Sequence, residues 1–188
     1  DFTSRTIYQE EHAVSPNSAY AQGKYASELM MSNLSKINKQ TSTTSLRMAS
    51  LCGGQPGMQE EELIAQFVKQ ALNQEPLHII GGTQTFEKLD VRDAASAVIS
   101  ILDTPTKKWK ETYNVASGNP VSITEIARHV VRICSRYNGG FLSQIHIEEK
   151  NVTRNMHLNV DHFKKDTAWE PYYTIDDIII SLIEYYRS

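Results

Sequence analysis

Short apolar runs with strand character alternate with amphipathic helical stretches along the whole of this 188-residue sequence. That interleaving is the feature that most constrains the fold. Strand–helix–strand order joins strands by crossovers, which gives an α/β sheet. Residues 2–8 read as a short strand. Ser15-Pro16-Asn17-Ser18 reads as a turn and helix start, and a long helix carrying Ala, Tyr, Leu and Met follows over 18–38. Thr-rich residues 41–49, ending Leu46-Arg47-Met48-Ala49, read as a buried strand. Gly and Pro make 52–57 a loop. A helix over 59–73 has one apolar stripe, and Glu60-Glu61-Glu62 in its first turn suits the helix dipole. Residues 77–80, 88–91, 112–116 and 143–148 read as strands. Asp93 is expected to open a helix over 93–103. Ser122-Ile123-Thr124-Glu125 is a capping box for a helix over 122–137. Helices over 160–167 and 175–187 complete the pattern, with no internal repeat or flexible linker.

Composition excludes several classes. The formal net charge of −3 gives no electrostatic reason to expect nucleic acid or an anionic membrane as partner. No apolar run approaches the roughly 20 residues needed to span a bilayer. The two cysteines, Cys52 and Cys134, form neither a disulfide framework nor a metal pattern, and a reducing, cytoplasmic setting fits them. The six histidines are scattered without His-Glu-x-x-His spacing, so no metal site is expected. His129, His157 and His162 read as structural or surface residues, and the pairs Tyr172–Tyr173 and Tyr185–Tyr186 as packing.

The motif that carries chemistry runs from Ser15 to Lys24, with Glu28 following. Tyr20 and Lys24 are four apart at the head of a helix, so both project from one face. A phenol titrates near about 10 and is a poor base at neutral pH. A nearby ammonium favours the phenolate, so such a pair can supply a general base near neutrality. The ammonium also stays free to hold a ligand hydroxyl.

The flanks resemble the NAD-dependent epimerase/dehydratase family, the extended short-chain dehydrogenases. Pro-x-Ser-x-Tyr-x-x-x-Lys-x-x-x-Glu heads the long helix, and a Leu46-Arg47 strand follows. Thr3-Ser4-Arg5-Thr6-Ile7-Tyr8 is similar to the family's serine-bearing strand end. Residues 66–82 are similar to its helix and strand before a glycine turn. Asp90-Val91-Arg92-Asp93-Ala94, Tyr113-Asn114-Val115-Ala116-Ser117-Gly118, and Arg154, Asp161 and Trp169-Glu170-Pro171 continue the match to the C-terminus.

The resemblance implies the C-terminal part of a Rossmann-like doubly wound sheet plus a small α/β substrate-binding subdomain. Residues 1–52 would be the Rossmann-like remnant. Residues 53–188 would be mostly the substrate-binding subdomain, with the last sheet strands, about 86–118, returning to the Rossmann part. By the same resemblance Tyr20 is the catalytic acid/base. Lys24 assists it and binds the nicotinamide ribose of NAD or NADP, and Ser4 holds the substrate hydroxyl or keto oxygen. Arg154 would clamp the diphosphate of a nucleotide-sugar, a geometry that suits a guanidinium. The implied activity is an NAD(P)-dependent nucleotide-sugar epimerase or reductase, an isomerase or oxidoreductase, dimeric through the Tyr20–Lys24 helix.

Five departures qualify the transfer. Ser50 stands where the family has an asparagine, and Phe86 where it has a second diphosphate-binding arginine. Ser4 lies closer to Tyr20 than usual, and Ser4-Arg5-Thr6 lacks the Asp-Glu pair of the sugar 4,6-dehydratases. The Gly-x-x-Gly-x-x-Gly motif that receives the NAD pyrophosphate does not occur in this sequence. The chain therefore reads as a part of the family's protein that lacks the dinucleotide-binding half, with an exposed sheet edge and an apolar helix face. A non-catalytic binding or regulatory relative is the alternative that Phe86 and Ser50 favour.

Overall fold

Local sequence sets the elements in place. Ser18, with extended backbone, accepts a hydrogen bond from the Ala21 amide at 3.2 Å and starts α1 (Ala19–Ile37). The computed structural model describes residues 7–58, 62–152 and 155–188. Before α1 lies β1 (Ile7–Tyr8), and after it come β2 (Ser45–Met48) and β3 (Ser50–Cys52). Helix α2 (Leu63–Leu72) starts later than the 59 expected. Its N-cap is Glu62, whose carboxylate accepts from the Ile64 amide at 2.8 Å. Strands β4 (Leu77–Ile80), β5 (Thr85–Phe86) and β6 (Lys88–Asp90) lead to α3 (Val91–Asp103). The cap of α3 is Asp90 rather than Asp93. Asp93 instead turns inward and accepts the amides of Tyr172 and Tyr173.

Next come β7 (Thr112–Val115), β8 (Val121–Ser122) and α4 (Ile123–Cys134), opened by the expected Ser122–Glu125 capping box. The chain ends with β9 (Ile145–Glu148), β10 (His157–Leu158), α5 (Asp161–Thr167) and α6 (Ile175–Arg187). Helix α6 has its own capping box, Thr174 with Asp177.

The pairing is mostly parallel, as crossovers require. Strand β1 pairs with β10, β2 with β7, β3 with β6 and β4 with β9, all parallel. Among the described residues only the short β5–β8 pair is antiparallel. The chain thus has the α/β, Rossmann-like architecture expected, with parallel strands covered by helices.

Two apolar cores form. One gathers Tyr113, Val115, Leu89 and Ala97 with Phe163 and Trp169, so α3 and α5 cover β2 and β7. Phe163 stands edge-on between Tyr113 and Trp169, each ring centroid 5.4 Å away. The other gathers α2, α4 and α6 around Ile64, Val68, Ile126, Val130, Ile179 and Ile183 over β4. The break between β2 and β3 is where the chain passes from one core to the other. The Ala49 amide still donates to Val115 in the β7 register, and three residues later Cys52 is buried in the second core. Among the described residues no helix is long and apolar enough to cross a membrane.

Candidate active site

Tyr20 and Lys24 stand where their spacing puts them, on one face of the first turns of α1. The Lys24 ammonium lies 5.6 Å from the centroid of the Tyr20 ring. The phenol is not packed into a core: Tyr20 is 75% exposed. Both side chains line a cavity of about 920 Å³ between α1, β2, β3 and the loop that precedes α2. The Tyr20 phenol is therefore reachable, and it opens onto a concavity large enough for a sizeable ligand.

Ser50 lines the same cavity. Behind it lies a nearly buried ion pair. Lys88 Nζ donates to Glu62 Oε1 at 2.5 Å and approaches Ser50 Oγ at 3.4 Å, and the two charged side chains are 9% and 13% exposed. One turn beyond Lys24, Glu28 accepts two bonds from Arg47, at 3.0 Å from Nε and 2.5 Å from Nη2. This fork–fork pair fixes α1 against β2 and sets the floor of the cavity. Arg47 also donates through Nη1 to the Glu10 carbonyl at 2.9 Å, which holds the chain just beyond β1.

The remaining expected residues distribute differently. Phe86 is half-buried in β5, in register with Val121 of β8, and is not among the residues that line the cavity. Ser4 and Arg154 lie outside the described residues. Sequence reasoning named Glu28 and Arg47 only as motif positions and did not see that they pair. Lys88 and Glu62 carried no signal beyond opposite charge, because their partnership depends on β3 and β6 lying side by side. The two cysteines are buried and free. Burial pushes both thiols up, Cys134 to about 12, so neither is a ready nucleophile.

His129 Nδ1 meets Asp176 at 2.5 Å, alongside Arg132, which ties α4 to α6. The tyrosine pairs 172–173 and 185–186 are edge-to-face contacts with centroids 5.1 and 5.5 Å apart. The segment between α3 and β7 contains a 3₁₀ turn, Thr106–Lys108. Trp109 then packs inward and donates to the Thr104 carbonyl at 2.9 Å.

A model of the NAD dependent epimerase/dehydratase family matches residues 3–116, more than half of the chain. No curated protein matches the chain. Among solved structures, UDP-glucose 4-epimerase with UDP-glucose from Thermotoga maritima is similar at TM-score 0.82 and 21% identity. That alignment covers 100% of this chain and 59% of the other. RMD from Pseudomonas aeruginosa, complexed with NADPH, is similar at TM-score 0.81 and 21% identity, over 97% of this chain and 61% of that one. dTDP-glucose 4,6-dehydratase from Bacillus anthracis, in complex with NAD, is similar at TM-score 0.78 and 23% identity, over 97% and 56%. The chain thus spans well under two thirds of the length of each of these proteins.

Proposed function

Since this chain belongs to the NAD dependent epimerase/dehydratase family, we propose that it carries the acid/base and substrate-side part of an NAD(P)-dependent nucleotide-sugar epimerase or reductase. The observation that carries this reading is the Tyr20–Lys24 pair on one helix face, open to a cavity of about 920 Å³. The family's other marks support it, namely the Arg47-bearing strand β2 and the Asp90–Asp93 start of α3. The solved relatives are described with UDP-glucose, NAD and NADPH.

The residues present fit the nicotinamide end of such a cofactor. An exposed phenol and an ammonium one turn apart on a cavity wall match a ribose hydroxyl and a reacting hydroxyl side by side. The pyrophosphate motif is not in this sequence, so the fit extends to that end alone. When bound, the nicotinamide supplies the hydride acceptor and donor.

The chain's own residues do the rest. Tyr20 takes the proton of the sugar hydroxyl as that carbon is oxidised and returns it on reduction. Lys24 holds the ribose and keeps a positive charge beside the phenol. The Glu28–Arg47 pair fixes the helix that carries both, so the reacting atoms meet in a constant geometry. Ser4 would hold the substrate oxygen and Arg154 the diphosphate. Ser50 and Phe86 would stand at the substrate side, where Phe86 offers a ring in place of a cation.

Helix α1 supports a homodimer as well. Met30, Leu34 and Ile37 are spaced along one stripe and are 71%, 42% and 84% exposed.

Replacing Tyr20 with Phe tests the reading. Turnover in the protein that contains this sequence should fall by about 10²-fold or more, the usual scale of general acid–base catalysis, while nucleotide-sugar binding persists. Unchanged turnover would remove Tyr20 from the chemistry. Binding of the same ligands with no turnover even in the unsubstituted protein would favour the non-catalytic relative.

A further inference from the structure

Just beyond β1, two adjacent carboxylates meet a histidine from α5. Glu10 Oε2 lies 3.3 Å from His162 Nδ1, and Glu11 Oε1 lies 3.9 Å from the same nitrogen. All three ligand atoms lie within 4.8 Å of one another. We propose that Glu10, Glu11 and His162 form a site for one borderline divalent cation such as Zn²⁺, which fastens the segment between β1 and α1 to α5.

The cluster is more than a meeting of acidic groups. The Glu10 side chain is only 6% exposed, yet its Oε2 has no hydrogen-bond partner, and neither has His162 Nδ1. The two atoms are close but not aligned for a hydrogen bond with each other. A simple His–Glu pair would rotate to make that bond, since a buried acceptor left unmade is costly. A shared cation satisfies both atoms at once and draws in the third oxygen.

The spacing suits this as well. Ligands about 2.0–2.2 Å from one tetrahedral ion stand about 3.3–3.6 Å apart; the Glu10–His162 separation of 3.3 Å meets this, and exposed Glu11, at 3.9 Å from His162, has a short way to swing in. One imidazole nitrogen with two carboxylate oxygens selects a borderline ion over the harder Ca²⁺ or Mg²⁺.

Glu10 is also held as a metal ligand should be held. Its Oε1 accepts the Asn114 amide at 2.9 Å, and its backbone carbonyl accepts Arg47 Nη1 at 2.9 Å. These bonds fix the carboxylate plane and leave Oε2 pointing at His162. Arg47, which bonds the Glu10 carbonyl, has its charge already neutralised by Glu28. No local motif announces the site, because residues 10 and 11 meet 162 only after β1 and β10 have paired.

Calorimetric titration of the 188-residue chain with Zn²⁺ tests the proposal, followed by Co²⁺ substitution to read the coordination by its visible absorption. The expected result is one equivalent bound. Glu11→Gln and His162→Gln should each weaken it by at least about tenfold, since losing even an outer-shell partner of a metal ligand typically costs that much. Glu11 is 69% exposed, so its substitution leaves the core intact even if His162→Gln loosens α5. The stacked pair His78–His146, with ring centroids 5.1 Å apart on β4 and β9, is the competing metal-binding surface. His146→Asn should therefore leave the affinity unchanged. Absence of stoichiometric binding, binding that survives Glu11→Gln, or binding lost in His146→Asn would each overturn the proposal.

Discussion

Glu87 is a carboxyl group with no access to solvent. Its Oε2 accepts the Leu158 amide at 2.7 Å, which holds β10 in place, while Oε1 has no hydrogen-bond partner and His157 Nε2 lies 3.9 Å away. Burial raises its pKa above the ordinary carboxylate range, against the opposing pull of the Leu158 amide and His157. A carboxyl raised in the folded state binds its proton more tightly there than in the unfolded chain. Its contribution to stability is therefore fully present below the unfolded pKa and is lost as pH rises through the folded one. Glu87→Gln keeps an acceptor for Leu158 and removes the charge. Denaturant titrations across the mildly acidic range should show a flatter pH dependence in the variant and equal or greater stability near neutrality. An unchanged slope would mean that Glu87 is not the group responsible. The same scale shows what a sequence can carry. Tyr20 and Lys24 were legible because their relation is local, fixed by one helix turn. The Arg47–Glu28 fork and the Lys88–Glu62 pair were not, because each joins different elements and opposite charge alone does not choose a partner.

At the scale of elements, Gly54 shows how closely the loop after β3 approaches α6. A Cβ there would collide with the Ser181 carbonyl and stand 2.7 Å from Tyr185 Cβ, and the Gly54 amide donates to Ser181 Oγ at 3.1 Å. The obstacle is helix backbone, which cannot swing aside as a side chain can. Gly54→Ala should therefore cost about 1–3 kcal/mol through forced displacement of α6, read as a lower midpoint in urea. A variant as stable as the parent would show that α6 can shift freely. Sequence periodicity found the six α-helices and the longer strands, but missed the two- and three-residue strands β3, β5, β8 and β10, which are too short to carry a period, and placed several ends wrongly. Asp90 caps α3 in place of Asp93 because Asp93 is taken by the Tyr172 and Tyr173 amides, a tertiary demand with no local trace. The strand over 41–49 breaks at Ala49 because its partner changes from β7 to β6, and partner exchange leaves no mark on hydropathy. The capping box at Ser122 forms as expected, since a capping box is written within four residues.

At the scale of the molecule, two cores share one chain, and β2–β3 passes between them at the wall of the cavity that Tyr20 and Lys24 line. The α/β class followed from interleaved strands and helices. The cavity itself did not, since it exists only where α1 stands off from β2 and β3. The apolar stripe of α1 predicts association. Sedimentation should give a dimer, and the double variant Met30→Glu/Leu34→Glu should give a monomer with unchanged circular dichroism. A monomeric parent would contradict this. The account rests above all on Tyr20-assisted hydride transfer at that cavity. The most direct test supplies the protein that contains this sequence with NAD and a UDP-hexose deuterated on its ring carbons, and follows the label. The account predicts deuterium on nicotinamide C4, and none when Tyr20 is replaced by Phe. A bound UDP-hexose that passes no label to the cofactor, or label transfer indifferent to Tyr20, would contradict it.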